Sequence, residues 1–290
     1  MPTRSLLAQY PAQRDDIGDL VTRRPVPGPQ VDQIDPFLFL NHHGPQVYPP
    51  RNGGLPFGPH PHRGFETVTF ILQGCLAHLD SGGHASVIEA GGVQWMTAGR
   101  GLIHAEVSPP VFKREGGPLE ILQLWVNLPS RLKLVQPAYV GLQQAAIPTV
   151  MCMDGQVSIS LIAGRLDSAE GPVQSLTGVF MTVVTLHPGG CVTLSAPAAR
   201  NVLFYTVAGD VVASGTKVPA FHLVRFAPDG DEIDVEAPRG ATLLFGHADP
   251  INEPVAAYGP FVMNTQAEIE QAIRDYRAGR FDNAEVGKRA

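Results

Sequence analysis

No run of about eighteen apolar residues occurs anywhere in the chain, so it offers no candidate membrane-spanning helix. The start, MPTRSLLAQYPAQRDD, lacks the uninterrupted apolar core of a secretion leader. The expected location is therefore cytoplasmic, with no membrane partner. Cysteine is scarce: Cys75, Cys152 and Cys191 are odd in number, far apart and free of C-x-x-C spacing. That argues against a disulfide framework or a zinc ribbon and leaves reduced, mostly buried thiols as the expectation. Basic residues are in the minority, 21 Lys and Arg against 27 Asp and Glu, giving a formal charge of −6. No dense basic run offsets this, so no direct nucleic-acid partner is expected.

What is present reads as an ordinary folded chain. With 290 residues, 44% of them hydrophobic and 17% charged, it is long enough for two domains with substantial cores. Its 31 glycines and 27 prolines cut the sequence into short segments. Most of these are strand-like, among them ETVTFIL, VQWMTAG, LEILQLWVNL, VSISLIAG, VFMTVVTL, NVLFYTVAGDVV and ATLLFG. Many short strands with frequent turn signals predict an all-β sandwich or barrel. The clearest helix pattern is 264-NTQAEIEQAIRDYRAG-279. Thr265 with Glu268 forms a capping box, Gly279 supplies the stop, and Ile269, Ile273 and Tyr276 make one apolar face to dock on a barrel.

The segment 137-PAYVGLQQAAIP-148 lacks strand alternation and is bracketed by prolines, so it is placed as a linker. The expected domains are residues 1–136 and 137–290, the helix lying with the second. The halves resemble repeats, since 70-FILQG-74 and 204-FYTVAGD-210 both end an apolar strand in a glycine turn.

The chemistry concentrates in the first half. In an extended H-P-H segment His60 and His62 point the same way, and Pro61 favours extension of its predecessor. The same arithmetic puts His104 and Glu106, in 104-HAE-106, on one face. Two such clamps on neighbouring strands can meet around one divalent ion, and three imidazoles with a carboxylate suit iron, manganese, nickel, copper, cobalt or zinc. Six-coordination would leave two positions for substrate and dioxygen, whereas a closed structural zinc site leaves none. Glu66, four residues after His62, competes with Glu106 for the carboxylate role.

Other candidates are weaker. Gly91, Gly92, Gly99 and Gly101 permit tight turns between the clamps, and Trp95 and Met96 read as core or pocket wall. Arg63 faces away from His62 and is expected to make a structural hydrogen bond. The adjacent His42 and His43 would face opposite ways and chelate poorly, while His78, His84, His187, His222 and His247 are scattered singly. In the second half, 194-LSAPAARN-201 stands where a matching H-x-H would fall, so only the first half is expected to hold metal.

The blocks HPHRGFETVTFILQG, VQWMTAGRGLIHAE, LQLWVN and YGPFVMNTQAEIEQAI closely resemble the pirin family of the cupin superfamily, and the resemblance covers nearly the whole chain. It implies a bicupin, two tandem antiparallel barrels of jelly-roll type, with a C-terminal helix returning across the molecule. It implies Fe(II) on three histidines and one glutamate, which match His60, His62, His104 and Glu106 here and favour Glu106 over Glu66. Pirins are associated with quercetin 2,3-dioxygenase activity, in which a flavonol and O2 react with release of carbon monoxide. Glu106 is then expected as ligand and as general base. Some pirins act instead as co-regulators through protein partners, so an iron-dependent binding protein is the alternative. A monomer is the expectation.

Overall fold

The structure, a computed structural model, describes residues 2–281. By contacts the described residues form two compact units: one of residues 15–22, 41–144 and 251–281, the other of residues 2–14, 23–40 and 145–250. No helix among the described residues is long and apolar enough to cross a membrane.

In the first unit, apolar strands with β-branched and aromatic residues form two antiparallel sheets. One runs Ala138–Leu142, Val93–Thr97, Phe65–Gln73, Gly117–Asn127 and on to residues 41–48 of Phe37–Tyr48. The long central pair is in register at Val68 opposite Leu124 and Phe70 opposite Leu122. The second sheet runs Phe57–His62, Leu102–Val107, Cys75–Asp80, Ala85–Glu89. Ile71 and Ile121 from one sheet pack with Leu76 and Ile88 from the other, closing a core between them.

The second unit repeats this plan. Its larger sheet includes His222–Phe226, Asn201–Ala208, Ala241–Ala248, Phe180–Leu186 and Val157–Ala163, in that order. The smaller sheet runs Gly190–Ser195, Glu232–Ala237, Val211–Ala213, Thr216–Val218. Counted from Phe57–His62 in one unit and Gly190–Ser195 in the other, the first, sixth, third and fourth strands make one sheet. The fifth, second and seventh stand side by side in the other. The glycine turns that suggested a repeat occupy equivalent places: Gly74 and Gly209 end the second strand of each set at φ 82° and 72°. A β-carbon at Gly74 would come within 2.6 Å of the Pro118 carbonyl oxygen, so the turn requires glycine. The molecule is an all-β bicupin with a C-terminal helix.

Two features differ from the sequence reading. Residues 138–142 of the expected linker are a strand, Val140 opposite Trp95, and the unit break follows residue 144. This strand is a largely exposed sheet edge, which is why its residues show no apolar alternation. The termini also exchange units relative to a single cut after residue 136. Leu6–Pro11 pairs with His222–Phe226, covering a sheet edge of the second unit. The helix Gln266–Arg277 belongs to the first unit, where Ile269 and Ala272 pack with Phe261, Phe281 and Ile103. Its Thr265–Glu268 capping box is present. Ile269 is fully buried, Ile273 partly so, and Tyr276 sits at the rim against Phe281.

Candidate metal centre

Phe57–His62 is the edge strand of its sheet, where Pro59 and Pro61 remove no needed ladder hydrogen bond. It pairs with Leu102–Val107, with His60 opposite His104 and His62 opposite Leu102. Extension places His60 and His62 on one face, and the register brings His104 to them. Their ring centroids are 4.8 Å apart for His60–His62, 4.4 Å for His60–His104 and 4.9 Å for His62–His104. One nitrogen from each ring falls within 4.8 Å of the others.

The surroundings fix how these rings present themselves. His60 Nδ1 is 2.7 Å from the Gly58 carbonyl oxygen, and His62 Nδ1 is 3.3 Å from that of Pro260. Each Nδ1–H donates to a carbonyl, which leaves Nε2 with a free lone pair, the usual way a protein orients imidazole ligands. His104 is 1% exposed and neither of its ring nitrogens has a hydrogen-bond partner, an arrangement that costs stability. Burial, aided by His60, pushes His62 down to about 3 against the weaker effect of the Pro260 carbonyl. Burial and the neighbouring His62 and His60 hold His104 well below the ordinary histidine range. Both are therefore neutral, the form that binds metal. Orphaned nitrogens, fixed tautomers and a soft-to-borderline donor set together fit a divalent ion.

Glu106 lies outside this trio. A register irregularity between His104 and Glu106 sets it opposite Phe57 on one side and His78 on the other. Its carboxylate receives hydrogen bonds from Thr69 Oγ1 at 2.9 Å and from the side-chain amides of Gln94 and Gln123. Glu66 is elsewhere, on Phe65–Gln73 opposite Thr97, whose hydroxyl donates to it at 2.7 Å. Burial raises the Glu66 carboxyl, opposed by hydrogen bonds from Thr97 and Trp95, and its second oxygen has no partner.

The remaining sequence candidates take structural places. Arg63 turns from the trio, donating to the Arg100 carbonyl and to Asp275 and lying 4.6 Å over the Phe281 ring. His42 pairs with Glu120 at 3.0 Å while His43 reaches Thr22, in opposite directions. Trp95 and Met96 are buried.

The sequence profile of the family described as Pirin matches residues 19–126, and that described as the pirin C-terminal cupin domain matches residues 181–282. Human pirin is 36% identical over 95% of this chain and 93% of its own length. The chain belongs to the pirin family. A pirin-like protein of Caulobacter vibrioides is 36% identical over 97% of this chain and the whole of its own. A crystal structure of quercetin 2,3-dioxygenase from Acinetobacter baumannii superposes with a TM-score of 0.90 at 33% identity, covering 97% of this chain and 99% of that one.

For a pirin-family chain the residues that sequence reasoning passed over are then telling. Thr69, Gln94 and Gln123 come from three strands of the larger sheet and converge on Glu106. Each is a polar residue inside an apolar strand, and that was the available signal. His78 is also close, its ring stacked on Tyr139 at 4.0 Å, its Nε2 2.9 Å from Asp80, and its centroid 5.4 Å from His104.

Proposed function

We propose that this protein is a metal-dependent dioxygenase of the quercetin 2,3-dioxygenase type. In this reading one divalent ion, Fe(II) before Mn, Ni, Cu, Co or Zn, is held by His60, His62, His104 and Glu106. The observation that carries it is the convergence of three imidazole nitrogens, with both nitrogens of buried His104 left without partners. The similarity to the Acinetobacter baumannii quercetin dioxygenase supports the same reaction class. A bound ion supplies an electron path between a closed-shell flavonol and dioxygen, whose unpaired electrons otherwise make the reaction slow.

The chain's own residues do the rest. His60 and His62 present Nε2 because backbone carbonyls hold Nδ1. Phe65 and Trp125, with rings 5.0 and 5.5 Å from His62, stand edge-on beside it as an aromatic wall. Glu106 shares the strand with His104 and is the base assigned to take the proton of the 3-hydroxyl group. Flavonol and O2 together become a depside and carbon monoxide, the carbon that bore the 3-hydroxyl leaving as CO. The test is oxygen-dependent loss of quercetin's visible absorbance with CO release, using protein loaded with each metal in turn. His60→Ala and Glu106→Ala should abolish it with the fold intact. A loaded protein that binds metal tightly but turns over no flavonol would overturn the enzymatic reading and favour the protein-partner role.

A further inference from the structure

The second barrel has a hollow of its own. A cavity of about 290 Å³ lies between its two sheets, walled by residues of Gly190–Ser195 on one side and of Phe180–Leu186 and Ala241–Ala248 on the other. Gly190–Ser195 is the topological counterpart of the strand that carries His60 and His62. The fold thus keeps the hollow and lines it with different chemistry.

That lining is selective. Two arginines, Arg165 and Arg200, face the cavity, and among the described residues no aspartate or glutamate lines it. Arg200 donates from one terminal nitrogen to the Gly178 carbonyl and has Asp249, largely exposed and outside the lining, 3.5 Å from Nε, which leaves its other terminal nitrogen for a ligand. His247 is 6% exposed and its Nδ1 has no hydrogen-bond partner. Its ring lies flat on Phe180, centroids 4.7 Å apart and planes 8° from parallel, with Phe245 edge-on at 6.0 Å. A buried polar atom without a protein partner is uncommon, and here water or a ligand atom in the cavity can satisfy it. Burial, with the charges of Arg200 and Arg4, pushes His247 down to about 3, so the ring is neutral, and its tautomer with the hydrogen on Nδ1 is the one that donates to a carboxylate.

We infer that this cavity binds a small aromatic monocarboxylate, the ring lying among Phe180, Phe245 and Leu194 and the carboxylate meeting Arg200 and His247 Nδ1. Drug-sized pockets span roughly 300–1,000 Å³, so a single ring with its acid group is the size that fits. A hydrogen bond from a guanidinium to a carboxylate is charge-assisted and about twice as strong as a neutral one, and the aromatic rings offer an apolar wall to the ligand's ring. Arg165, at the exposed rim, adds attraction without a fixed contact.

The experiment is ¹⁹F NMR titration of 4-fluorobenzoate, with neutral 4-fluorobenzamide as control, into the full-length protein. Benzoate should bind saturably and benzamide at least about tenfold more weakly. His247→Phe keeps the ring shape and its stacking, so the fold should survive, and Arg165→Gln changes an exposed residue. His247→Phe and Arg200→Gln should each weaken benzoate at least about tenfold, and Arg165→Gln a few-fold. Binding should persist in His60→Ala/His104→Ala protein, which places it away from the first barrel. Equal affinity for the amide, binding unchanged in His247→Phe, loss of binding in the His60→Ala/His104→Ala background, or no saturation would each overturn the inference.

Discussion

His60 and His104 stand directly opposite each other across one strand ladder, with ring centroids 4.4 Å apart. The two rings pack together but make no hydrogen bond with each other. His104 in particular pays for burial with two unbonded nitrogens. The stability of the metal-free protein and its capacity for metal should therefore move in opposite directions on mutation.

His104→Leu tests this. An apolar side chain of similar volume removes the orphaned nitrogens, so the metal-free variant should melt at the same temperature as the metal-free parent or a few degrees higher. Its affinity for Fe(II) or Ni(II), measured by chelator competition, should fall at least about tenfold. A variant that both melts lower and keeps metal would show that His104 is a packing residue.

Gln94 and Gln123 both donate to the Glu106 carboxylate. Gln94→Leu and Gln123→Leu should each change metal affinity by about 10–100-fold, the range for groups that orient a ligand, while Glu66→Gln should change it little. Metal content after dialysis against a chelator decides between the two glutamates. If Glu66→Gln strips the metal and Gln94→Leu does not, Glu66 is the carboxylate that serves the ion.

These residues also show what the sequence made legible. Within the trio, His60 and His62 were readable because period-two spacing acts within a strand, so H-P-H could be assigned one face without knowing the fold, whereas His104 joins them through the strand pairing. The Thr265–Glu268 box and the glycine turns at Gly74 and Gly209 were equally local. The partners of Glu106 were not, since Thr69, Gln94 and Gln123 reach it only through strand pairings and the approach of one sheet to another. The irregularity after His104, which moves Glu106 out of register with the H-P-H strand, likewise leaves no mark in composition. The exchange of termini escaped for the same reason: Leu6–Pro11 and Gln266–Arg277 look alike whichever barrel they cover.

Arg63 ties the strand region beside His62 to the C-terminal helix through Asp275, at 2.8 Å with both side chains nearly buried. Asp275 also accepts from Gln271 and Arg280. Arg63→Met leaves this carboxylate short of a charged donor and should cost about 2–3 kcal/mol in urea unfolding. Asp275→Asn should cost a similar amount, and the double variant less than the sum of the two. Additive losses would mean that the pair is not coupled.

Lys133 supplies the pH test. The residue is 1% exposed, and its ammonium donates to the Gly64 and Val262 carbonyls and to Asn127. Burial is the largest influence and lowers it from the ordinary 10.5 to about 8, against the weaker pull of Glu253 and Glu268. Between pH 8 and 10.5 the unfolded chain therefore holds a proton on this lysine that the folded chain has released. By linkage, stability from this group rises with pH across that window, is complete above it and is lost as pH falls through 8. The full change is about 3 kcal/mol. Lys133→Met removes the titrating group, so the stability difference between parent and variant should shift in the parent's favour by this amount from pH 7.5 to 10.5. Denaturant midpoints at several pH values measure it, and a difference that stays flat across the window would show that Lys133 keeps its ordinary affinity for the proton in the folded protein.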